Sequence, residues 1–552
     1  MNARRRGRAA LGLLTAAIIG GLMAGGAPLG AATAAPRITQ GVNATGTDPT
    51  PSKVYASPVV VVDPKDSRRL VAAAAEIRSR TCGLVRSTDA GQTWVRPEGS
   101  PSPESFPFCF QTETGPRQAD MAFGRDGTLY YAYAGWDTGD TLSDWPIGMG
   151  GGWKGNVSVV VSRSDDLGDS WESTVVRDAR RFQGDQQENN RPVNSIVVDS
   201  RSGKEDIVYV GWKVSYRDRQ GLRVATSTDG GKTFGDPVDL TAGYFDNDDN
   251  RRRLAEGAKL TETPNQNRIM YYWPDMTIDT DGTLYAVWNA RFGPGPQMDD
   301  TGVFLSTSAD QGRTFTVTEI SPAPVTYRYP MMEWTPHGGD AGTLHLVYEG
   351  ATPQKIDWLF DVFHVRSTDG GKTWSTPTRL SDDPPQDLAG KYHPELAIAP
   401  NGRIEVAWWD FRNDNGNFAT DVYLTTSFDD GASWSPNRRV TDRSISRRIG
   451  VWYGNSDIRQ PPGIAAMNQF TLVGWDDTRN GDVTTQAQDI YTSVVQYERL
   501  GSGTSSALRY GAAAAAGLGV FGVVLLLLAA LWKRRQGDVE ATERVMERQP
   551  TT

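Results

Sequence analysis

The sequence predicts an all-β fold, a β-propeller of radially arranged four-stranded sheets. Three observations predict it: a polar turn written six times, a strand–hairpin–strand pattern before each copy, and no convincing helix between the two ends. The turns are "RSTDAGQTW" from Arg86, "RSDDLGDSW" from Arg163, "TSTDGGKTF" from Thr226, "TSADQGRTF" from Thr307, "RSTDGGKTW" from Arg366 and "TSFDDGASW" from Thr426. Each reads Ser/Thr-x-Asp-x-Gly-x-Thr/Ser-Trp/Phe. An Asp in a tight turn accepts backbone N–H groups. The Gly supplies a conformation that a side chain resists. The aromatic ring then buries itself and pins the hairpin.

Taken from the N-terminus, Arg4, Arg5, Arg6 and Arg8 precede an apolar stretch from Ala9 to about Met23, and small residues follow. This is the pattern of a secretory signal peptide, residues 1–34, with Ala32-Thr33-Ala34 as the cleavage region. The repeating units come next. "HPELAIAPNGRIEVAWWDFRNDNGNFATDVYLTTSFDDGASW" from His393 contains a short apolar strand, a Pro-Asn-Gly hairpin, a second apolar strand and a polar loop. A third, alternating strand runs into the turn. A fourth strand follows it, as in "STPTRLSD", which completes a propeller blade. Seven units are counted, beginning near Ser57, Gln118, Val193, Pro274, Pro330, Pro394 and Gln460, or six if one is an insertion. The last, ending "AQDIYTSVVQY", has three strands and no turn of its own. "RITQGVN", residues 37–43, is expected to supply its fourth strand and close the ring.

After this ectodomain, residues 37–497, come a linker over 498–510 and the uncharged segment Gly511–Trp532, long enough to cross a bilayer as a helix. Lys533, Arg534 and Arg535 follow at once and place the tail, 533–552, in the cytoplasm. The expectation is an exported propeller anchored in the cell membrane by one C-terminal transmembrane helix. The net charge of -9 comes from acids and bases mixed along the chain, with no basic stripe, which argues against a nucleic-acid partner. The two cysteines, Cys82 and Cys109, either bridge each other or stand as separate buried thiols. Export favours the bridge. No cofactor is expected. "DFRNDNGNFATD" from Asp410 and "DNDDN" from Asp246 are oxygen-rich loops of the kind that hold calcium, without an EF-hand pattern. The four His include no pair at zinc-ligand spacing.

The six turns resemble the Asp boxes, or bacterial-neuraminidase repeats, of the sialidase-like superfamily, over residues 55 to 497. The resemblance implies that the Asp box lies between third and fourth strands on the outer rim, with the substrate face opposite. Asp89, Asp166, Asp229, Asp310, Asp369 and Asp429 are then structural. It marks the fold more than the activity, because Asp boxes also occur in other hydrolases, assembly factors and receptors.

On the implied substrate face, ends of second strands carry Trp136-Asp137, Trp212, Trp288-Asn289, Tyr348-Glu349, Trp409-Asp410 with Arg412, and Trp475-Asp476 with Arg479. Starts of first strands carry Arg117, Arg191, Tyr272-Trp273, Arg328-Tyr329, Tyr392-His393 and Arg459. Aromatic faces stack on pyranose rings, carboxylates accept hydroxyls, and Arg forks grip acidic substituents. The same residues also serve structure, with Trp packing between blades and Asp-x-Arg pairs fixing loops. A retaining sialidase needs three arginines, an acid/base Asp, and a Tyr nucleophile assisted by a Glu. The resemblance places Asp410, Tyr453 and Glu349 in the catalytic roles. Position on this face makes Arg191, Arg328, Arg412, Arg479, Trp273, Trp409 and Asp476 the substrate-binding candidates. The family's first Arg lies in a Phe/Tyr-Arg-Ile-Pro motif before the first blade. This chain has "SKVYASPVVVV" there, and Tyr327-Arg328-Tyr329-Pro330 opens the fifth unit instead. The function implied is hydrolysis of surface or environmental glycans, of exo-α-sialidase type. The alternatives are a non-catalytic propeller that binds a glycan or protein, and an envelope scaffold.

Overall fold

The computed structural model describes residues 35–109, 119–138, 156–182, 188–201, 205–215, 220–246, 269–271, 274–292, 301–320, 328–338, 342–351, 359–414, 416, 418–450 and 460–497. The segments expected to hold the signal peptide, most of the linker, the anchor and the tail lie outside them. No helix among the described residues is long and apolar enough to cross a membrane.

Seven antiparallel sheets make up the unit Pro36–Gln496. Their inner strands are Tyr55–Val62, Ala119–Phe123, Asn189–Asp199, Asp275–Ile278, Arg328–Thr335, Lys391–Ile398 and Gly463–Ala466. Each inner strand packs against the next, and the seventh returns to the first, so the sheets form a closed seven-bladed ring. Seven is therefore the blade number. Arg37–Ile38 and Val42–Asn43 pair with Asp489–Gln496 and complete the seventh blade from the other end of the chain. Radial repetition of this kind leaves each sheet only short, protected edges.

Alternation of apolar side chains on strands with two buried faces puts the core between blades. Tyr130, Val159 and Val161 of the second blade pack on Val193, Val208 and Val210 of the third. Tyr285, Val303 and Leu305 of the fourth pack on Met332, Leu346 and Tyr348 of the fifth. Each fully buried Val or Leu contributes about 1.5–3 kcal/mol. Polar bonds stitch neighbouring inner strands: Ile196 N–H donates to Asp120 (2.9 Å), Met276 N–H to Ser195 (3.0 Å) and Met332 N–H to Asp275 (2.7 Å). A stretch of every inner strand lines the axial channel, a cavity of about 580 Å³. A disulfide joins Cys82 to Cys109, with Cα atoms 5.3 Å apart.

Candidate functional site

Strand register fixes what each end of the ring carries. Arg328 pairs with Glu349 and Lys391 with Asp410, so starts of inner strands and ends of second strands share one mouth. Ile398 pairs with Ile404 and Ile404 with Ser427, which puts the ends of third strands, and the Asp-box turns, at the opposite end.

The six turns are chemically the same. In the fifth blade Ser367 Oγ donates to Asp369 Oδ1 (2.7 Å) and accepts from Gly371 N–H (2.9 Å). Thr373 donates to both carboxylate oxygens, through N–H (2.9 Å) and Oγ1 (2.6 Å). Asp89, Asp166, Asp229, Asp310 and Asp429 accept the matching bonds in their own turns. Hydrogen bonds, from Ser170 and Thr314 foremost, hold Asp166 and Asp310 down at about 2. These carboxylates are spent on their own turns.

At the mouth, two blades share one device. Trp408 Nε1 donates to Asp410 Oδ2 (2.9 Å), and Arg412 donates to Asp410 from its backbone N–H (2.8 Å) and Nη2 (2.8 Å). Trp475, Asp477 and Arg479 repeat this at 2.9, 2.9 and 2.7 Å. Asn413 reaches Asp421 and Tyr423, and Asn480 reaches Asp489 and Tyr491. Arg412 also bonds Asp382, and Arg479 bonds Asp442. Trp-x-Asp-x-Arg-Asn is thus a duplicated clip that holds the loop after the second strand. Asp410, Arg412 and Arg479, singled out in the sequence, sit inside it, Arg412 paired with Asp410 and Arg479 with Asp477. Asp414 closes the same loop of the sixth blade on the backbone N–H groups of Gly416, Phe418 and Ala419. Among the described residues, no group of three or more His, Cys, Asp or Glu is placed to hold a metal ion. Most of the "DNDDN" loop lies outside those residues.

Between the clip positions the two blades differ. Trp408 matches Trp475, so Trp409 stands where Asp476 does. Trp409 is buried and donates to the carbonyl of Gln460 (2.7 Å). Asp476 is also buried. Gln488 Nε2 donates to it (3.0 Å) and to the Tyr55 carbonyl (2.8 Å), and the Arg447 guanidinium lies 3.9 Å away. Burial raises the Asp476 carboxyl above its ordinary value although Arg447 pulls the other way. A protonatable acid in a polar mouth is what general-acid chemistry requires. Both amide atoms of Asn289 and of Gln460 are buried here without a hydrogen-bond partner among the described residues. Glu349 is fully buried and accepts the His393 N–H at 2.6 Å. Tyr453 and Trp273 lie outside the described residues, as do the side chains of Arg191 and Arg328.

Sequence reasoning passed over Arg447, Gln460 and Gln488. One signal pointed to Gln460: a residue followed by Pro opens most inner strands, at Ser57, Arg191, Trp273, Tyr329, His393 and Gln460.

Residues 282–435, which hold three of the six turns, match the BNR repeat-like domain family. No curated protein matches the chain. Among solved structures, a protein of unknown function from Dyadobacter fermentans is similar at 14% identity and a TM-score of 0.46, over 84% of this chain and 100% of that one. An α-L-arabinanase of Penicillium chrysogenum complexed with arabinobiose is similar at 16% and 0.40, over 68% and 94%. A sialidase of Trypanosoma rangeli is similar at 12% and 0.37, over 69% and 55%. Identities and scores of this size say nothing of activity or substrate.

Proposed function

We propose that this chain, a BNR-repeat propeller of the sialidase-like superfamily, holds a glycan at the strand-entry mouth and hydrolyses it with Asp476 as the acid. The observation that carries this reading is the Asp476 carboxyl, buried, raised in pKa and held by the neutral Gln488 amide with Arg447 nearby. A protonated Asp476 gives its proton to the glycosidic oxygen as the carbon–oxygen bond breaks, and water takes the place of the leaving group. Asn289 and Gln460 bring amides that both donate to and accept from sugar hydroxyls. The signal-like start and the apolar segment 511–532 support a setting outside the cell membrane, where glycans are met. Sialosides are the first substrates to try, since the Asp-box turns resemble those of sialidases.

A second reading is a propeller that binds glycans without cleaving them. The duplicated clip favours it, because Arg412 is engaged with Asp410 and Asp382, and Arg479 with Asp477 and Asp442. A fluorogenic sialoside and a panel of aryl glycosides, offered to the full chain in detergent, separate the two. Turnover that Asp476→Asn abolishes supports hydrolysis. Binding on a glycan array without turnover supports the second reading, and a folded chain that shows no turnover and no binding would remove both.

A further inference from the structure

Four inner strands skip pairing over a residue and the proline after it, Arg191-Pro192 of the third blade among them, and three of them enter the mouth through the same irregularity. Pairing with the second strand skips between Ala56 and Val59, between Arg328 and Met331, and between Tyr392 and Glu395. In each gap the first residue has a left-handed backbone and the second is proline. The first residues are Ser57 (φ 60°), Tyr329 (φ 49°) and His393 (φ 52°). Non-glycine residues resist this region, and bulky ones most of all. Ser57 shows that the bulge itself asks for no ring. In the fifth and sixth blades the chain nevertheless puts large polar rings there, and they meet: the Tyr329 and His393 ring centroids are 4.5 Å apart. Glu349, buried between these blades, accepts the His393 backbone N–H at 2.6 Å and lies 3.7 Å from its Nδ1. A ring nitrogen beside a fixed carboxylate, in a strained backbone at a polar mouth, is the arrangement of a base and its orienting partner. Catalytic contacts of this kind are commonly long before a ligand closes on them.

We propose that His393 is the general base of this mouth, with Glu349 as its positioning residue and Tyr329 packed on the imidazole. The inference rests on the hydrolytic reading above and completes its proton balance. As water attacks the anomeric carbon, its O–H bond breaks and the proton passes to an imidazole nitrogen. Asp476 meanwhile gives one proton to the leaving oxygen, and solvent restores both groups. The Glu349 carboxylate balances the imidazolium. Among the described residues, Lys391 and Glu395 are the charged groups within two positions on the same strand, and the Lys391 ammonium is paired with Asp383.

The chain has four histidines, so ring signals of the full-length protein in detergent, labelled at His Cε1, can be assigned by single substitutions. The His393 signal is expected to titrate, and Glu349→Gln to lower its midpoint by about one pH unit or more. A His393 signal that ignores pH, or that Glu349→Gln leaves in place, would overturn the proposal whatever the substrate proves to be. On any glycoside the wild type cleaves, His393→Gln should lower kcat about 100-fold or more with KM little changed. Glu349→Gln should move the acid limb of the pH profile to lower pH. Unchanged kcat in a folded His393→Gln chain also overturns it. If the wild type cleaves nothing, the hydrolytic reading fails and with it the role of base, while a Glu349-dependent titration still locates a coupled pair.

Discussion

The two ends of the ring are built on opposite plans. At the end carrying the Asp boxes, six turns repeat one set of hydrogen bonds, down to a Thr or Ser hydroxyl on the second carboxylate oxygen. At the mouth, equivalent places hold different chemistry: Ser57, Tyr329 and His393 on one bulge, Trp409 and Asp476 in one register. Repetition at matched positions marks what every blade needs in order to fold. Divergence at matched positions, on a backbone that stays the same, marks what only one blade is asked to do. By this test the clip aspartates belong with the Asp boxes although they sit at the mouth.

The comparison can be strained from its largest expected effect downward. Asp410→Ala leaves the half-buried Arg412 without its main partner, and Asp477→Ala does the same to the half-buried Arg479. Each should cost about 3–5 kcal/mol in urea denaturation, with similar values for the two. A variant of wild-type stability that has lost turnover would return Asp410 to the site. Asp369→Ala, which gives up four hydrogen bonds in an exposed turn, should cost about 1–2 kcal/mol by the same measurement. It should leave ligand binding alone.

Acid should find the seam between the fifth and sixth blades first. His345 Nδ1 faces His364 Nε2 at 3.1 Å, and His345 Nε2 faces Asp430 at 3.2 Å. Burial lowers both imidazoles, His364 well below 6.5, against the pull of Asp430 on His345. The unfolded chain therefore takes up protons first, and stability should fall as pH drops below about 6.5. The Asp boxes act lower. With folded values of about 2 for Asp166 and Asp310 against an ordinary 3.8, their contribution is lost between those limits. Denaturation midpoints from pH 7 to 3 should show the first loss, and His364→Gln should blunt it. The smallest effect belongs to Gln460→Ala. Its amide is buried without a partner among the described residues, so removal should change stability by less than about 0.5 kcal/mol or raise it. Ligand affinity should fall in the same variant.

The blades were legible because the turn is local: Ser367, Asp369, Gly371 and Thr373 bond to one another within seven residues of sequence. Closure by residues 37–43 was legible too, since the last unit lacked a strand. The clip was harder to see. Pairing Trp409-Asp410 with Trp475-Asp476 in the sequence sets the two blades one residue out of step, because Trp408-Trp409 offers two anchors. A one-residue slip in a strand turns every side chain to the other face. Register places Trp408 with Trp475 and leaves Asp476 outside the clip. The partners of Asp476 are Gln488, just before the blade's last strand, and Arg447, in the preceding blade's last loop, and neither is near it in sequence.

The central claim is that chemistry resides in the divergent mouth and not in the repeated turns. Turnover and glycan binding by Asp476→Asn and Asp369→Asn, measured side by side on chains shown to be folded, test it most directly. The account expects Asp476→Asn to abolish turnover and Asp369→Asn to retain it at wild-type level. Loss in Asp369→Asn with Asp476→Asn unaffected would contradict it.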